Sequence, residues 1–296
     1  MRITSGNQLV AIAICAMAGR GVVADQAVVV FPVADSFVRQ LDPGSNFGGA
    51  GADCVGGPDS VNGQSQLCGR FDSVIMFDMS AAVATLDGSY GAGRWSITGV
   101  TLQLNEVGAP ISPVFPRGAG SFVVNWLSDD SWTEGNGTPA SPMPGTGSII
   151  TWDSLQTILT TAAEAPLGVF ASAGTDNTTQ FTLVPAAPLI ADMSAGGLVS
   201  LHLLPQSLQI GFTFHSWNFG TPSAQPQLIV VAGRSGDLNC DDVTDPADVG
   251  PFALALVDPV GYASQYPGCS ILRADVNHDG MVDGRDVAGF VALLVP

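Results

Sequence analysis

Asp275-Val-Asn-His-Asp-Gly-Met-Val-Asp-Gly-Arg-Asp286 places oxygen-bearing side chains at positions 1, 3, 5, 9 and 12 of a twelve-residue stretch. A calcium loop draws side-chain ligands from those positions, takes a backbone carbonyl at position 7 and turns sharply at position 6. Gly280 stands sixth here and Met281 seventh. Acidic turns are common, but these offsets together with the glycine are demanding. The pattern occurs 38 residues earlier at Asp237, Asn239, Asp241, Asp245 and Asp248, so it is an internal duplication. Each loop runs into an apolar segment: Val249, Phe252, Ala253 and Leu256 after the first, Val287, Phe290, Val291 and Leu294 after the second. The spacing i, i+3, i+4, i+7 predicts one face of a helix, so two loop-helix units are expected to bury matching stripes on each other.

Charge agrees with a cation site. From Asp237 to Pro296 ten Asp stand against Arg273 and Arg285, a net of −8. Clustered carboxylates repel one another in a segment with little apolar core, so its folding is expected to be coupled to metal binding.

These repeats resemble the type I dockerin module, a duplicated calcium loop with a helix after each copy. The likeness covers about the last 60 residues, with Gly236-Asp-Leu-Asn-Cys-Asp241 and Ala274-Asp-Val-Asn-His-Asp-Gly280 as its signatures. It implies two Ca2+ sites: Asp237, Asn239, Asp241, the Val243 carbonyl, Asp245 and Asp248, then Asp275, Asn277, Asp279, the Met281 carbonyl, Asp283 and Asp286. Asp242 replaces the sixth-position glycine of the first loop, which is therefore expected to be the weaker site. The resemblance also implies docking to a cohesin-like or other cell-surface protein. Positions ten and eleven, often Ser and Thr in that family, are Pro246-Ala247 and Gly284-Arg285 here.

Across all 296 residues the chain is 46% apolar and only 12% charged, enough for one large core and one small one. A pI near 4.1 excludes nucleic acid and anionic membrane surfaces as partners, because their phosphates would be repelled. Abundant glycine and proline, 36 and 20, predict many turns and short strands. Residues 1–24 read as a secretory signal: Arg2, the apolar run Leu9 to Ala18, and the small-residue site Val22-Val-Ala24. The run is too short to span a bilayer, so no transmembrane segment is expected in the mature chain, which is read as secreted or held at the cell surface.

Without Cys15 the exported chain keeps Cys54, Cys68, Cys240 and Cys269, an even count that predicts disulfides. Three pairings are open; keeping each bridge inside one domain favours 54 with 68 and 240 with 269. Zinc is the rival, but there is no Cys-x-x-Cys, and His202, His215 and His278 are scattered.

Residues 25–232 alternate short apolar runs with turn clusters, as an antiparallel sandwich does. Strands are expected over 27–31, 36–39, 70–77, 96–104, 121–126, 148–152, 180–184, 198–204, 209–215 and 227–231. Single helical turns are expected over 155–163 and 188–193. The Gly-rich stretch 42–69 reads as a surface loop, and 233–236 as a short flexible joint before the 237–296 module.

Ala34-Asp-Ser-Phe-Val-Arg39, Asn46-Phe-Gly-Gly49, Arg70-Phe-Asp-Ser-Val-Ile-Met-Phe-Asp-Met-Ser80, Ile97-Thr-Gly-Val-Thr-Leu-Gln-Leu104, Ser131-Trp-Thr-Glu134 and Pro226-Gln-Leu-Ile-Val-Val231 resemble, in order, the DNRLRE-type domain, a secreted bacterial β-sandwich related to a carbohydrate-binding family. That likeness implies a noncatalytic jelly-roll scaffold that binds glycans. The expected fold is thus mainly β, a jelly-roll-like antiparallel sandwich followed by a small helical, EF-hand-like module.

Asp129-Asp-Ser-Trp-Thr-Glu134 is the densest polar cluster of the sandwich segment. A glycosidase needs two carboxyls facing each other across about 5 to 9 Å, which one short loop rarely supplies. No Gly-x-Ser-x-Gly elbow occurs, and His215 has no obvious catalytic partner in the sequence. Trp132 and Trp217 have polar neighbours and are the aromatics expected to stack on sugar rings. The expectation is a noncatalytic secreted protein that docks through its calcium module and binds polysaccharide. Two alternatives stand beside it: a dockerin-bearing polysaccharide hydrolase or lyase, and a structural surface or matrix protein.

Overall fold

The computed structural model describes residues 12–13, 25–107, 113–175 and 177–295. The expected secretory segment therefore lies outside the described residues, apart from Ile12 and Ala13. The fold is mainly β, with a large antiparallel sheet and short helices between its strands. Among the described residues no helix is long and apolar enough to cross a membrane.

The chain groups into two compact units. One comprises Phe31–Met79 and Gly99–Leu228; the other comprises Met1–Val30, Ser80–Thr98 and Ile229–Pro296.

In the first unit the strands Gly211–His215, Ala52–Gly56, Phe71–Asp78, Leu198–Pro205, Gly120–Leu127 and Glu164–Ser172 pair in that order, all antiparallel. Pro32–Arg39 adds to Phe71–Asp78, with a register shift between Pro32 and Ala34. Phe71–Asp78 is buried along nearly all its length because strands pair with it on both sides. Its β-branched and aromatic residues suit that position. One apolar cluster stacks Phe122 on Phe212, with Phe181 edge-on to Phe122. Another gathers Phe37, Phe47, Phe71 and Phe115 around Cys54 and Cys68.

Three expectations for this unit change. Residues 148–152 are not a strand: Thr151 caps the helix Trp152–Ile158, exchanging hydrogen bonds with Ser154 as a capping box. The Gly-rich stretch 42–69 is not only a surface loop, since it contains the buried strand Ala52–Gly56. Its neighbouring glycines hid the strand from a pattern reading. Cys54 and Cys68 are both free thiols. They pack in the same cluster, but the Cys68 thiol donates to the Gln66 carbonyl at 3.5 Å and the Cys54 side chain hydrogen-bonds with Thr213, so no bridge joins them.

In the second unit Gln26–Val30, the helix Ser80–Tyr90 and the C-terminal repeats pack together. Residues 233–236 are not a free joint. Gly233 and Arg234 continue the strand Gln227–Arg234, Ser235 is buried, and the Gly236 N–H donates to the Arg273 carbonyl at 2.8 Å. Both repeat helices form, Val249–Val257 and Asp286–Leu294, with Pro259–Gln265 between them. Phe252 and Phe290 stack with centroids 4.0 Å apart and rings 2° from parallel. Leu256 and Leu294 pack partly buried against that core, but the valines of the expected stripes do not: Val249, Val287 and Val291 are 48%, 42% and 52% exposed. Leu238, Ala255, Tyr262, Cys269 and Ala274 fill the core in their place. The Cys240–Cys269 disulfide closes over this core, with Cα atoms 5.8 Å apart.

Candidate functional site

Two acid-rich places carry chemistry, one in each unit. In the C-terminal repeats every carboxylate or amide at a loop position faces backbone N–H groups of its own loop. Asp237 accepts from the Asp241 and Asp242 N–H groups, each at 3.1 Å, and Asp275 accepts from those of Asp279 and Gly280 at 3.1 and 2.9 Å. Asn239 and Asn277 accept from Asp241 and Asp279; Asp241 and Asp279 from Val243 and Met281; Asp245 and Asp283 from Ala247 and Arg285. The twelfth-position residues close each loop from the helix side. Asp248 accepts from Leu238, Asn239 and Asp245, and Asp286 from Val276, Asn277 and Asp283. The second loop thus reproduces the first bond for bond at a 38-residue offset.

Few cations offset these oxygens: the exposed Arg285 reaches Asp279 at 3.7 Å and Asp283 at 4.0 Å in the second loop, and the buried Arg273 meets Asp237 in the first. The Asp275 carboxyl is pushed up to about 6 by burial, with the Asp286 and Asp279 charges adding to it and the Gly280 N–H opposing. Burial likewise raises Asp248. Asp237 is raised too, although Arg273 lies against it: loss of water outweighs the ion pair. Among the described residues no three acidic, imidazole or thiol side chains converge as a ready-made metal cage. The loop donor sets depend on Asn amides and the Val243 and Met281 carbonyls as well as on carboxylates, and that all-oxygen chemistry fits a hard divalent ion.

The loops also carry left-handed backbone at matching positions, Cys240 at φ 57° with His278 at 60°, and Asp242 at 74° with Gly280 at 77°. Asp242 therefore adopts the conformation that glycine adopts freely. Asp242→Gly is expected to stabilise the protein by about 1 kcal/mol, the usual cost of a side chain in that region. The pairing it removes, Arg234 with Asp242 at 4.0 Å, is partly exposed and contributes little. An unchanged or lower urea midpoint would show that Asp242 is not strained.

Upstream segments of the same unit hold the second loop. Ser96 donates to the Asp275 carbonyl at 2.9 Å, and the Trp95 ring stacks on His278 at 5.3 Å. Arg273 is buried and bridges Asp237 and Asp25.

The β-rich unit holds the second place. Glu134, the last member of the acidic cluster read from the sequence, lies beside Asp35 and Asp53, which come from two different strands. Asp35 and Asp53 are 0% and 1% exposed. Asp129 instead turns on itself, accepting from the Ser131 N–H and hydroxyl. Trp132 is 3% exposed and its indole N–H donates to the Ser200 hydroxyl, so it has no face free for a sugar. Trp217 is half-buried. Its neighbours His215 and Phe219 stack at 3.7 Å and line an apolar pocket of about 390 Å3 with Ala50, Ala52, Phe115 and Pro139.

His202, read as one of three scattered histidines, is the centre of a charge network that pattern reading missed. Its Nδ1 meets Glu164 at 2.7 Å and its Nε2 meets Asp72 at 3.4 Å, while Arg70 binds Asp72 through two bonds of 2.9 Å. The imidazole is 1% exposed; burial pushes its pKa down, but the two carboxylates prevail and raise it to about 9. The folded pKa exceeds the ordinary 6.5, so the charged histidine contributes stability fully below about pH 6.5 and loses it as pH rises through 9. The melting temperature of the protein is expected to fall between pH 6.5 and 9 more steeply than that of His202→Gln. Parallel curves would remove the charged imidazole from the account.

No protein-family model matches the chain, and no curated protein matches it.

Proposed function

We propose that the C-terminal repeats bind two calcium ions and form a dockerin-like docking module of a secreted, noncatalytic protein whose jelly-roll-like β-sandwich binds extracellular polysaccharide. The observation that carries the calcium reading is the hydrogen-bond scaffold repeated between the two loops, with oxygen donors at the required offsets. Docking rests on the exposed valines that the repeat helices keep out of their own core. Glycan binding, if carried by an aromatic platform, falls to Trp217 and the His215–Phe219 pair, since Trp132 is core.

The test uses the full chain immobilised with calcium or with chelator and exposed to extract of the producing cell and to a polysaccharide panel. Calcium-dependent retention of a protein partner, with polysaccharide retained in either condition, is the expected pattern. Equal retention with chelator points instead to a structural matrix protein.

The enzymatic alternative gains one observation: Glu134 has two further carboxyls beside it. Asp35 and Asp53 are buried, however, and cannot flank a sugar ring as an acid and base pair must. Release of reducing ends that disappears in Glu134→Ala would revive it.

A further inference from the structure

Beside the first repeat loop lies a polar cavity of about 280 Å3. Arg94 and Arg234 line it with Ser235, Asp242, Thr244 and Leu293, all of them in one compact unit. Two arginines at one cavity stand out in this chain, which sets nine basic side chains against 26 acidic ones. Arg39, Arg70 and Arg273 each donate to a neighbouring aspartate. The cavity arginines do not. Arg94 is exposed and forms no ion pair with a described residue. Arg234 meets Asp242 only at 4.0 Å, and its buried Nε has no hydrogen-bond partner. One carboxylate against two guanidinium groups leaves the lining net positive within an acidic protein. Distant acids do not cancel that charge, because exposed charges are screened beyond about 8 Å at physiological ionic strength.

The walls are held by bonds of their own. The Ser235 N–H donates to the Arg94 carbonyl at 3.1 Å, which ties the two arginine segments together. The Arg234 guanidinium lies over the Tyr90 ring, its carbon 5.9 Å from the centroid, and the Tyr90 hydroxyl donates to the Ala232 carbonyl at 3.0 Å. A guanidinium held by its face against a ring keeps its N–H edge for a planar anion such as a carboxylate. The wall supplied by the first loop has the complementary chemistry. The Thr244 hydroxyl gives its hydrogen to the Ser235 carbonyl at 2.7 Å, so its oxygen is left to accept. An ionised Asp242 likewise only accepts. A ligand that satisfies both walls carries an acid group and hydroxyl donors in one small molecule.

We propose that this cavity binds a small hydroxylated carboxylate, the chemistry of a sugar acid, with Arg94 and Arg234 on the carboxylate and Thr244 and Asp242 on the hydroxyls. Its volume lies just below the range of about 300 to 1,000 Å3 usual for small-molecule pockets, which suits one sugar ring rather than several. The site rests neither on calcium in the loops nor on polysaccharide binding by the β-rich unit.

Calorimetric titration of the full chain with sodium glucuronate, glucose and inorganic phosphate, at one ionic strength and one calcium concentration, tests this. Glucuronate should bind, and Arg94→Gln and Arg234→Gln should each weaken it by about tenfold or more, the loss of one charge-assisted contact. Glucose, which lacks the acid, should bind about tenfold more weakly than glucuronate or not at all. Phosphate bound as tightly as glucuronate, or in its place, would overturn the ligand class. Glucuronate affinity unchanged in both variants would put that binding elsewhere, as in the β-rich unit, and overturn this site. No heat with glucuronate in the wild type would also overturn it, while leaving the calcium and polysaccharide readings untouched. Should Arg234→Gln fail to fold by circular dichroism, Arg94→Gln, at an exposed position, decides alone.

Discussion

Replacing Arg273 with methionine is expected to destabilise the folded chain by about 3 kcal/mol, because removing one partner of a buried ion pair leaves the other charge uncompensated. Arg273 is 5% exposed and its guanidinium serves Asp237, itself 1% exposed, and Asp25 together. Gly233 exists to admit it: a Cβ there would lie 2.8 Å from the guanidinium carbon. Urea unfolding of wild type and Arg273→Met checks the figure. Adding Asp25→Asn should recover part of the loss, and a double variant no better than the single one would show that the methylene stem, not the charge, matters. The loss should shrink in saturating calcium, since an ion in the first loop would also neutralise Asp237.

Removing calcium is expected to cost about 2.7 kcal/mol for each loop that is held at a hundred times its dissociation constant. The full chain, not an excised tail, is the right object, because Trp95, Ser96 and Asp25 belong to the same unit as the loops. Chelator should lower the urea midpoint and reduce the helical circular dichroism contributed by Val249–Val257 and Asp286–Leu294. Calcium should restore both. An identical unfolding curve with and without chelator would mean that the hydrogen-bonded loops are stable without any ion.

The loops were legible in the sequence because their chemistry is local. Oxygen donors at fixed offsets, a turn at position 6 and a helix afterwards all fall within about twenty residues, and the repeat supplies its own control. The strands of Phe71–Asp78 and Leu198–Pro205 were legible for the same reason, as mainly apolar runs interrupted by only a few polar residues. Ala52–Gly56 was not, because small residues between glycines carry no strand pattern and its burial comes from partners far along the chain. The same holds for the charge groupings. Asp72, Glu164 and His202 lie on separate strands that only the sheet pairing brings together, and Glu134 reaches Asp35 and Asp53 from a loop that Asn46 holds. The contacts that Arg94 to Ser96 and Asp25 make with the C-terminal segment were not legible either, because those residues precede it by more than a hundred positions.

Titrating calcium into the chelator-stripped full chain by calorimetry, beside Asp248→Ala and Asp286→Ala, tests most directly whether the repeats are cation sites. The tighter loop heat should disappear with Asp286→Ala and the weaker one with Asp248→Ala, leaving the other loop able to bind. If neither substitution changes the isotherm, or the wild-type repeats take up no calcium at millimolar concentration, the twin loops are hydrogen-bonded turns and the docking account built on them is wrong.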